Sequence, residues 1–161
     1  MSQLEKLKLK WEEESLSEFF PIDLEIIRSF ELKNNVILTS DLKDYFKTLN
    51  GTGEEYTDEL YEFYSIEKVK KVSEEFRDWE GVPNYQSLIK NDVTKDLFVF
   101  ANFSFNQFVY AIKLSPEETD DNEVYILCGG DYKKIAKTFS EFIDLYLNNS
   151  IQLQFYDKED S

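Results

Sequence analysis

The densest run of apolar residues lies at positions 97–114 and splits into two stretches that alternate as strands do. In residues 97–101, Phe98 and Phe100 fall on one face, since successive side chains of a strand point to opposite faces. Residues 108–114 alternate in the same way, with one mixed face and one apolar face that carries Phe108, Tyr110, Ile112 and Leu114. The alternation predicts a pair of neighbouring strands.

The connection between these strands, residues 102–107, is longer than two residues and contains no glycine. It therefore predicts a β-hairpin with a wide loop rather than a tight turn. Short apolar runs predict further strands at residues 60–64 and 124–128, and a short terminal strand at residues 152–156.

Apolar residues at helical spacing predict helices on both sides of the strands. The first helix carries an apolar stripe made of Leu4, Leu7 and Trp11. Asp23 is placed to cap a second helix and Thr39 a third. Asn50 and Gly51 end the third helix, because both residues tolerate the left-handed conformation.

Two more helices are predicted further along the chain. Ser65 can cap the first of them, which would bury Ile66, Val69, Val72 and Phe76. The last helix is predicted near residues 133–147, since helical spacing relates Ile135, Phe139, Phe142, Ile143 and Tyr146. Residues 77–96 fit a loop packed by its aromatic residues, with a helical turn near residues 87–90.

This order of elements predicts an α+β fold in which helices pack on a single, mostly antiparallel central sheet. The connections between strands are too short for repeated parallel crossovers. We expect one domain over residues 1–161, since a chain of this length can bury a sizeable core. No apolar run reaches the roughly 18 residues of a membrane span, and the first residues lack the apolar core of a signal peptide. We therefore expect a cytoplasmic protein without membrane contact.

The net charge of −15 comes from 33 acidic and 18 basic residues, and two windows contain acids without a base. The first window holds Glu54, Glu55, Asp58, Glu59 and Glu62. The second holds Glu117, Glu118, Asp120, Asp121, Glu123 and Asp131. Such fields repel nucleic acid and anionic membranes and attract a basic protein. The alternative is that the charge only keeps the protein soluble.

The chain contains no histidine, which excludes Ser-His, Cys-His and His-metal arrangements. Its single cysteine, Cys128, lies in an apolar run and is interpreted as a small core residue. The acidic residues 120–123 lack the spacing and central glycine of a calcium loop. We expect no catalytic residue, no metal and no cofactor. A carboxylate enzyme stays open as a hypothesis that requires an apolar pocket around paired acids.

The hairpin loop carries a second candidate feature, because it cannot easily bury both Phe103 and Phe105. One of these rings can stand out as an anchor for a partner. Combined with the first acidic window, this predicts a partner-binding site made of Glu54, Glu55, Tyr56, Asp58, Glu59, Glu62, Phe103, Phe105 and Asn106.

Three pieces of the chain resemble the SUKH superfamily. In the first piece, residues 26–52, the matching positions are Phe30, Glu31, Leu38, Asp41, Leu42, Tyr45, Phe46, Asn50 and Gly51; Thr39 stands where the family usually has proline. The second piece is the aromatic hairpin at residues 97–114. The third, residues 125–147, matches a final strand and a helix through Thr138, Phe139, Glu141 and Phe142. The resemblance covers about residues 24–148.

SUKH members include bacterial immunity proteins and fungal regulators of cell-wall synthesis. Many of the bacterial members resemble antidotes that neutralise polymorphic toxins, often nucleases, by direct binding. The resemblance therefore implies a non-enzymatic immunity protein whose partner is a cognate toxin with a basic nuclease domain. A cellular scaffold or regulatory protein-binding module of the same fold is the alternative.

Overall fold

The computed structural model describes residues 1–16 and 18–155 and is organised around an antiparallel sheet. The strands of this sheet are β1 (Tyr61–Phe63), β2 (Lys70–Lys71), β3 (Leu97–Phe103), β4 (Phe108–Lys113), β5 (Val124–Cys128) and β6 (Asp131–Ala136). Their order is β1-β3-β4-β5-β6, and β2 also pairs with β3. All of the pairings are antiparallel. The predicted fold class is confirmed.

The aromatic hairpin has a longer first strand and a shorter loop than the sequence pattern predicts, and its second strand ends one residue earlier. Asn102 and Phe103 pair with Val109 and Phe108, so only residues 104–107 remain in the loop. The register shifts at Phe100, between Val99 and Ala101. The side-chain alternation is therefore interrupted by a bulge, which period-2 counting cannot detect.

The mixed face of β4 is buried except at Lys113, which is exposed. Val109 and Ala111, which point away from Tyr110, are as fully buried as Tyr110 itself. The sheet is therefore covered on both faces. The segment that follows β2 contributes to this cover, because the buried Tyr85 donates a hydrogen bond from its hydroxyl to the carbonyl of Asn106 at 2.7 Å.

The helices of the described residues are α1 (Gln3–Glu13), α2 (Leu24–Asn34), α3 (Ser40–Thr48), α4 (Val72–Glu75), α5 (Gln86–Ile89) and α6 (Phe139–Leu147). Short 3-10 turns cover Ile66–Lys68, Asp92–Asp96 and Ile151–Leu153. Asp23 caps α2 as predicted, since its Oδ1 accepts a hydrogen bond from the amide of Ile26 at 3.1 Å. Thr39 precedes α3 but its hydroxyl caps no amide. It donates to Asp41 and accepts from the side chain of Asn122 instead.

Three element assignments are wrong. The helix predicted from Ser65 is divided into a 3-10 turn, strand β2 and helix α4, because Lys70 and Lys71 pair with Val99 and Phe98 at the sheet edge. All four of its predicted inward residues, Ile66, Val69, Val72 and Phe76, are nonetheless buried.

The last helix begins at Phe139, and the residues before it form the additional strand β6. The turn at Gly129 and Gly130 folds β6 back along β5, and this pairing overrides the helical spacing of Ile135. The predicted terminal strand is also absent up to Phe155, because Ile151–Leu153 form a 3-10 turn. The remaining residue of that predicted strand, Tyr156, lies outside the described residues.

Aromatic residues join α1 and α6 to one face of the sheet. Trp11 contacts Phe63 with ring centroids 5.1 Å apart and donates its indole N–H to the hydroxyl of Tyr146 at 3.0 Å. Phe142 packs edge-on against Phe100 of β3 at 5.1 Å. The buried apolar residues form a connected cluster. One part of the core therefore lies between the sheet and these terminal helices.

Two residues of the family-like pattern act as hydrogen-bond acceptors between elements. The carboxylate of Glu31 in α2 accepts the amide of Leu38 at 2.8 Å. The carboxylate of Asp41 in α3 accepts the amide and the hydroxyl of Ser140, at 3.0 and 3.1 Å, in the first turn of α6. Negative charge is favourable at a helix N-terminus, so Asp41 stabilises the start of α6 while joining it to α3.

Candidate partner-binding surface

The loop between α3 and β1 carries most of the first acidic window, and its start is fixed by a close approach of the backbone. Asn50 and Gly51 adopt left-handed conformations, with φ of 57° and 88°. A Cβ on Gly51 would lie 2.6 Å from the carbonyl oxygen of Phe63. The hydroxyl of Thr52 accepts the amide of Phe63 at 3.2 Å. The loop therefore leaves the sheet edge in a defined direction.

The acidic side chains of this loop differ in what they contact. Glu54, Glu55, Asp58 and Glu59 are exposed. Glu59 forms an ion pair with Lys10 of α1, with 3.0 Å between Nζ and Oε1. The window contains no basic residue in the sequence, but in the fold α1 places Lys10 beside it. No ion pair within the described residues involves Glu54, Glu55 or Asp58, so their carboxylates face the solvent.

Two of the predicted site residues make their contacts within the protein. Glu62 is buried in β1 and its carboxylate pairs with Lys68 at 3.0 Å. Phe103 is half-buried, with its ring 5.0 Å from Tyr61 and 5.7 Å from Phe108. The proposed partner-binding surface therefore does not include Glu62 or Phe103.

The hairpin loop meets the acidic loop through two aromatic rings. The ring of Phe105, 67% exposed, lies 4.6 Å from that of Tyr56. The hydroxyl of Tyr56 donates to Oδ1 of Asn102 at 3.2 Å, and the same oxygen accepts the amide of Asn106. The structure thus brings together the two segments that the sequence analysis selected separately. The expectation that one of the two loop phenylalanines stays exposed is confirmed.

The sequence analysis missed one apolar residue beside the acidic loop, Phe20. Its side chain is 61% exposed, and its ring lies 3.9 Å from the position of a Cβ on Gly53. The side-chain amide of Asn50 donates to the carbonyl of Phe20 at 2.8 Å. Phe20 belongs to no periodic pattern, and the sequence gives only one signal there, a pair of phenylalanines immediately before Pro21.

Acidic residues near the end of α1 were missed as well. Oε1 of Glu14 accepts the amide of Asp58 at 3.2 Å, and burial raises the pKa of the Glu14 carboxyl. The backbone of the exposed Glu18 passes within 3.1 Å of the Cβ position of Gly53. The acidic surface is therefore built from two chain segments that are about 40 residues apart in the sequence.

The second acidic window, apart from Asp131, lies at the other end of β4. Asp131 pairs with Cys128, at the hairpin-loop end of the sheet. β4 begins at Phe108, beside the hairpin loop, and the acidic residues follow its last residue, Lys113. Glu123 accepts the hydroxyl of Tyr125 at 2.8 Å and lies 3.9 Å from Lys134. The remaining acids of the window, Glu117, Glu118, Asp120, Asp121 and Asp131, are exposed. Residues 117–123 therefore form a surface separate from the first window.

The described residues also bear on possible metal-binding and nucleophilic groups. Within residues 1–16 and 18–155, no cluster of cysteine, aspartate or glutamate has the geometry to hold a metal ion. Cys128 is half-buried, and burial raises the pKa of its thiol. Helices in this same part of the chain are all too short or too polar to cross a membrane.

Comparison with known proteins places this architecture in a family. No curated protein matches the chain significantly. The model of the SMI1 / KNR4 family (SUKH-1) matches residues 21–145, which include helices α2 and α3, the whole sheet and most of α6. This match covers well over half of the sequence and agrees with the span of the resemblance seen in the residues. The chain belongs to the SMI1 / KNR4 family (SUKH-1).

Proposed function

We propose that the protein is an immunity protein that neutralises a cognate bacterial polymorphic toxin, a nuclease, by direct binding. The observation that carries the proposal is the exposed acidic loop with Glu54, Glu55 and Asp58, joined to the exposed ring of Phe105. Family membership supports it, since many bacterial members resemble antidotes of this kind. The protein would act stoichiometrically in the cytoplasm, without a catalytic residue or a cofactor.

Electrostatics supports a basic partner. A nuclease carries lysine and arginine where it holds the phosphate backbone, so an acidic surface is complementary to the region that an inhibitor must cover. The same field repels nucleic acid and anionic lipid, which argues against direct contact with either. Complementary charge at the rim chiefly speeds encounter, while apolar contacts at the centre determine how long the complex lasts.

The test is co-expression with the product of the neighbouring gene, followed by co-purification, nuclease assay and cell survival. The informative variant is Glu54→Lys, Glu55→Lys, Asp58→Lys, which keeps the Lys10–Glu59 ion pair intact. Its matched control is Glu117→Lys, Glu118→Lys, Asp120→Lys, with the same change of net charge at the opposite end of β4. We expect the first variant to lose affinity at least about 100-fold, because three attractive contacts become repulsive.

The control variant should bind within about threefold of the wild type, because its charges lie away from the proposed surface. Circular dichroism confirms that both variants are folded. Equal loss of protection in the two variants would remove the proposed surface. A wild-type protein that binds no neighbouring toxin and instead retains a cellular protein would replace the immunity function by the alternative, a regulatory binding module.

A further inference from the structure

Two exposed phenylalanines contact the acidic loop. Phe20 lies against Gly53 and Phe105 lies against Tyr56, so both rings contact the segment of residues 53–56. The rings are 61% and 67% exposed. Large apolar side chains that are left in solvent beside the same loop are typical of protein-binding surfaces.

The position of Phe105 has a conformational cost. Ser104, Phe105 and Asn106 all adopt left-handed backbone conformations, with φ of 51°, 57° and 70°. A phenylalanine rarely adopts this conformation, because its Cβ crowds the backbone, and glycine or asparagine would fit better. Strain of this kind persists where the surroundings enforce it, and it concentrates at functional sites.

The surroundings of Phe105 do enforce its position. The amide of Ser104 donates to the carbonyl of Leu60 at 2.8 Å. The carbonyl of Asn106 accepts a hydrogen bond from the hydroxyl of the buried Tyr85 at 2.7 Å. The amide of Asn106 donates to the side chain of Asn102. The tip of the hairpin is therefore held from both sides. An aromatic ring presented on a held backbone loses little freedom on binding, which favours affinity.

Phe20 is held in a comparable way. Its carbonyl accepts the side-chain amide of Asn50, a residue of the family pattern, and the amide of Ile22 donates to the carbonyl of Phe46 at 3.2 Å. The oxygen of the Asn50 side chain accepts the amide of Ile66 at 2.8 Å. Asn50 thus connects the backbone of Phe20 to the segment that follows β1.

We propose that Phe20 and Phe105 are the two apolar anchors of a single partner-binding surface, with Glu54, Glu55 and Asp58 as its charged component. The occupant is a basic protein domain with apolar depressions that receive these two rings. This inference rests on the proposed function, which supplies the partner, and it adds Phe20 and the division of roles between rings and charges. The charges bring the partner in and the rings keep it bound.

A second copy of this chain is the less favourable occupant. A twofold axis would place the same surface on both subunits, so the acidic loop of one copy would face the acidic loop of the other. Like charges in such an interface repel each other. A basic domain experiences attraction at the same positions.

The test measures association and dissociation rates of the co-purified toxin domain with Phe20→Ala, Phe105→Ala and the double variant. Leu32→Ala is the control, because this side chain is 84% exposed on α2. We expect each phenylalanine variant to dissociate at least about tenfold faster while its association rate changes less than about twofold. The Leu32 variant should keep both rates. Phe105→Gly should match Phe105→Ala in binding while melting at least as high as the wild type, since glycine relieves the left-handed strain.

The possible failures are distinguishable. If the wild type binds the toxin and the charge variant weakens it, but both phenylalanine variants behave like the Leu32 variant, the anchors are wrong and the proposed function stands. If the wild type binds no toxin, both are overturned. If the wild type forms a dimer in light scattering and Phe105→Ala makes it monomeric, the occupant is a second copy and this inference is overturned.

Discussion

At the scale of single residues, the most constrained position is Gly51. Its φ of 88° lies in the left-handed region, and the space where a Cβ would stand is filled by backbone atoms of residues 63–65, the nearest at 2.6 Å. Backbone cannot move aside as a flexible side chain does. Gly51→Ala should therefore lower the free energy of unfolding by more than about 3 kcal/mol, measured by urea denaturation.

Gly130 offers the control for this substitution. A Cβ on Gly130 would lie 2.6 Å from Oγ of Ser87, which is an exposed side chain that can rotate, and its φ is outside the left-handed region. Gly130→Ala should cost less than about 1 kcal/mol. A similar loss for both glycines would show that the close backbone approach at Gly51 is not what the position requires.

Glu75 in α4 supplies a prediction about pH. Burial raises the pKa of its carboxyl, partly offset by the positive charges of Lys70 and Lys68, while Glu62 raises it further. A carboxyl with a raised pKa in the folded state loses its contribution to stability as the pH rises through that pKa, because the buried group must then ionise. Glu75→Gln should raise the melting temperature at pH 7 by about 2 °C.

The gain from Glu75→Gln should disappear below about pH 4, where the carboxyl is protonated in the folded and the unfolded state alike. Differential scanning calorimetry of both proteins between pH 3.5 and pH 7.5 measures this difference. A gain that stays constant over the whole range would show that the glutamine acts through packing or helix propensity rather than through charge.

Residue-level features that depend on near neighbours were predictable from the sequence. The cap at Asp23 and the helix end at Asn50 and Gly51 are determined by the local chain, and both occur in the structure. The contact of Phe20 with Gly53 and the ion pair between Lys10 and Glu59 join distant segments. Neither leaves a signal in the spacing of residues, so the candidate surface was only partly predictable.

At the scale of elements, the errors share a cause. β2 and β6 lie at the edges of the sheet. They join the sheet by pairing with β3 and β5, although their residues also fit helical spacing. A short segment has little intrinsic preference, and tertiary pairing decides its conformation. The central strands, whose aromatic alternation is long, were predicted within about two residues of their ends.

Helix α6 is the element whose inward face is most clearly determined by spacing. Phe139 is 1% exposed, and its ring lies 4.9 Å from that of Tyr45 and 5.7 Å from that of Phe100. Phe139→Ala should lower the free energy of unfolding by about 3 to 5 kcal/mol. The substitution would leave a cavity between two elements that are held apart by other contacts. Chemical denaturation measures this loss of stability, and Leu32→Ala, at an exposed position, is the control. A cost below about 1 kcal/mol would place Phe139 outside the core.

At the scale of the whole molecule, the net charge of −15 is divided between surfaces rather than spread evenly. The loop after α3 and the loop after β4 lie at opposite ends of the sheet, and the apolar rings of Phe20 and Phe105 accompany only the first. Solubility alone explains an acidic surface without exposed phenylalanines. It does not explain a surface where they occur together, and this combination distinguishes the two windows.

This division of roles predicts how binding responds to salt. Screening shortens the range of the acidic field from roughly 14 Å at about 50 mM salt to roughly 4 Å at about 500 mM, so encounter with a basic domain should slow while contacts already formed are little affected. We expect the association rate to fall at least about tenfold over this range and the dissociation rate to change less than about threefold. Stopped-flow or surface plasmon resonance measurements with the wild type and the Glu54, Glu55 and Asp58 charge variant separate the two rates. The association rate of the charge variant should not fall with salt in this way, because its three lysines replace the local attraction by a repulsion that screening relieves. A wild-type association rate that is independent of salt would show that the acidic loop does not steer the partner, even if the complex itself is stable.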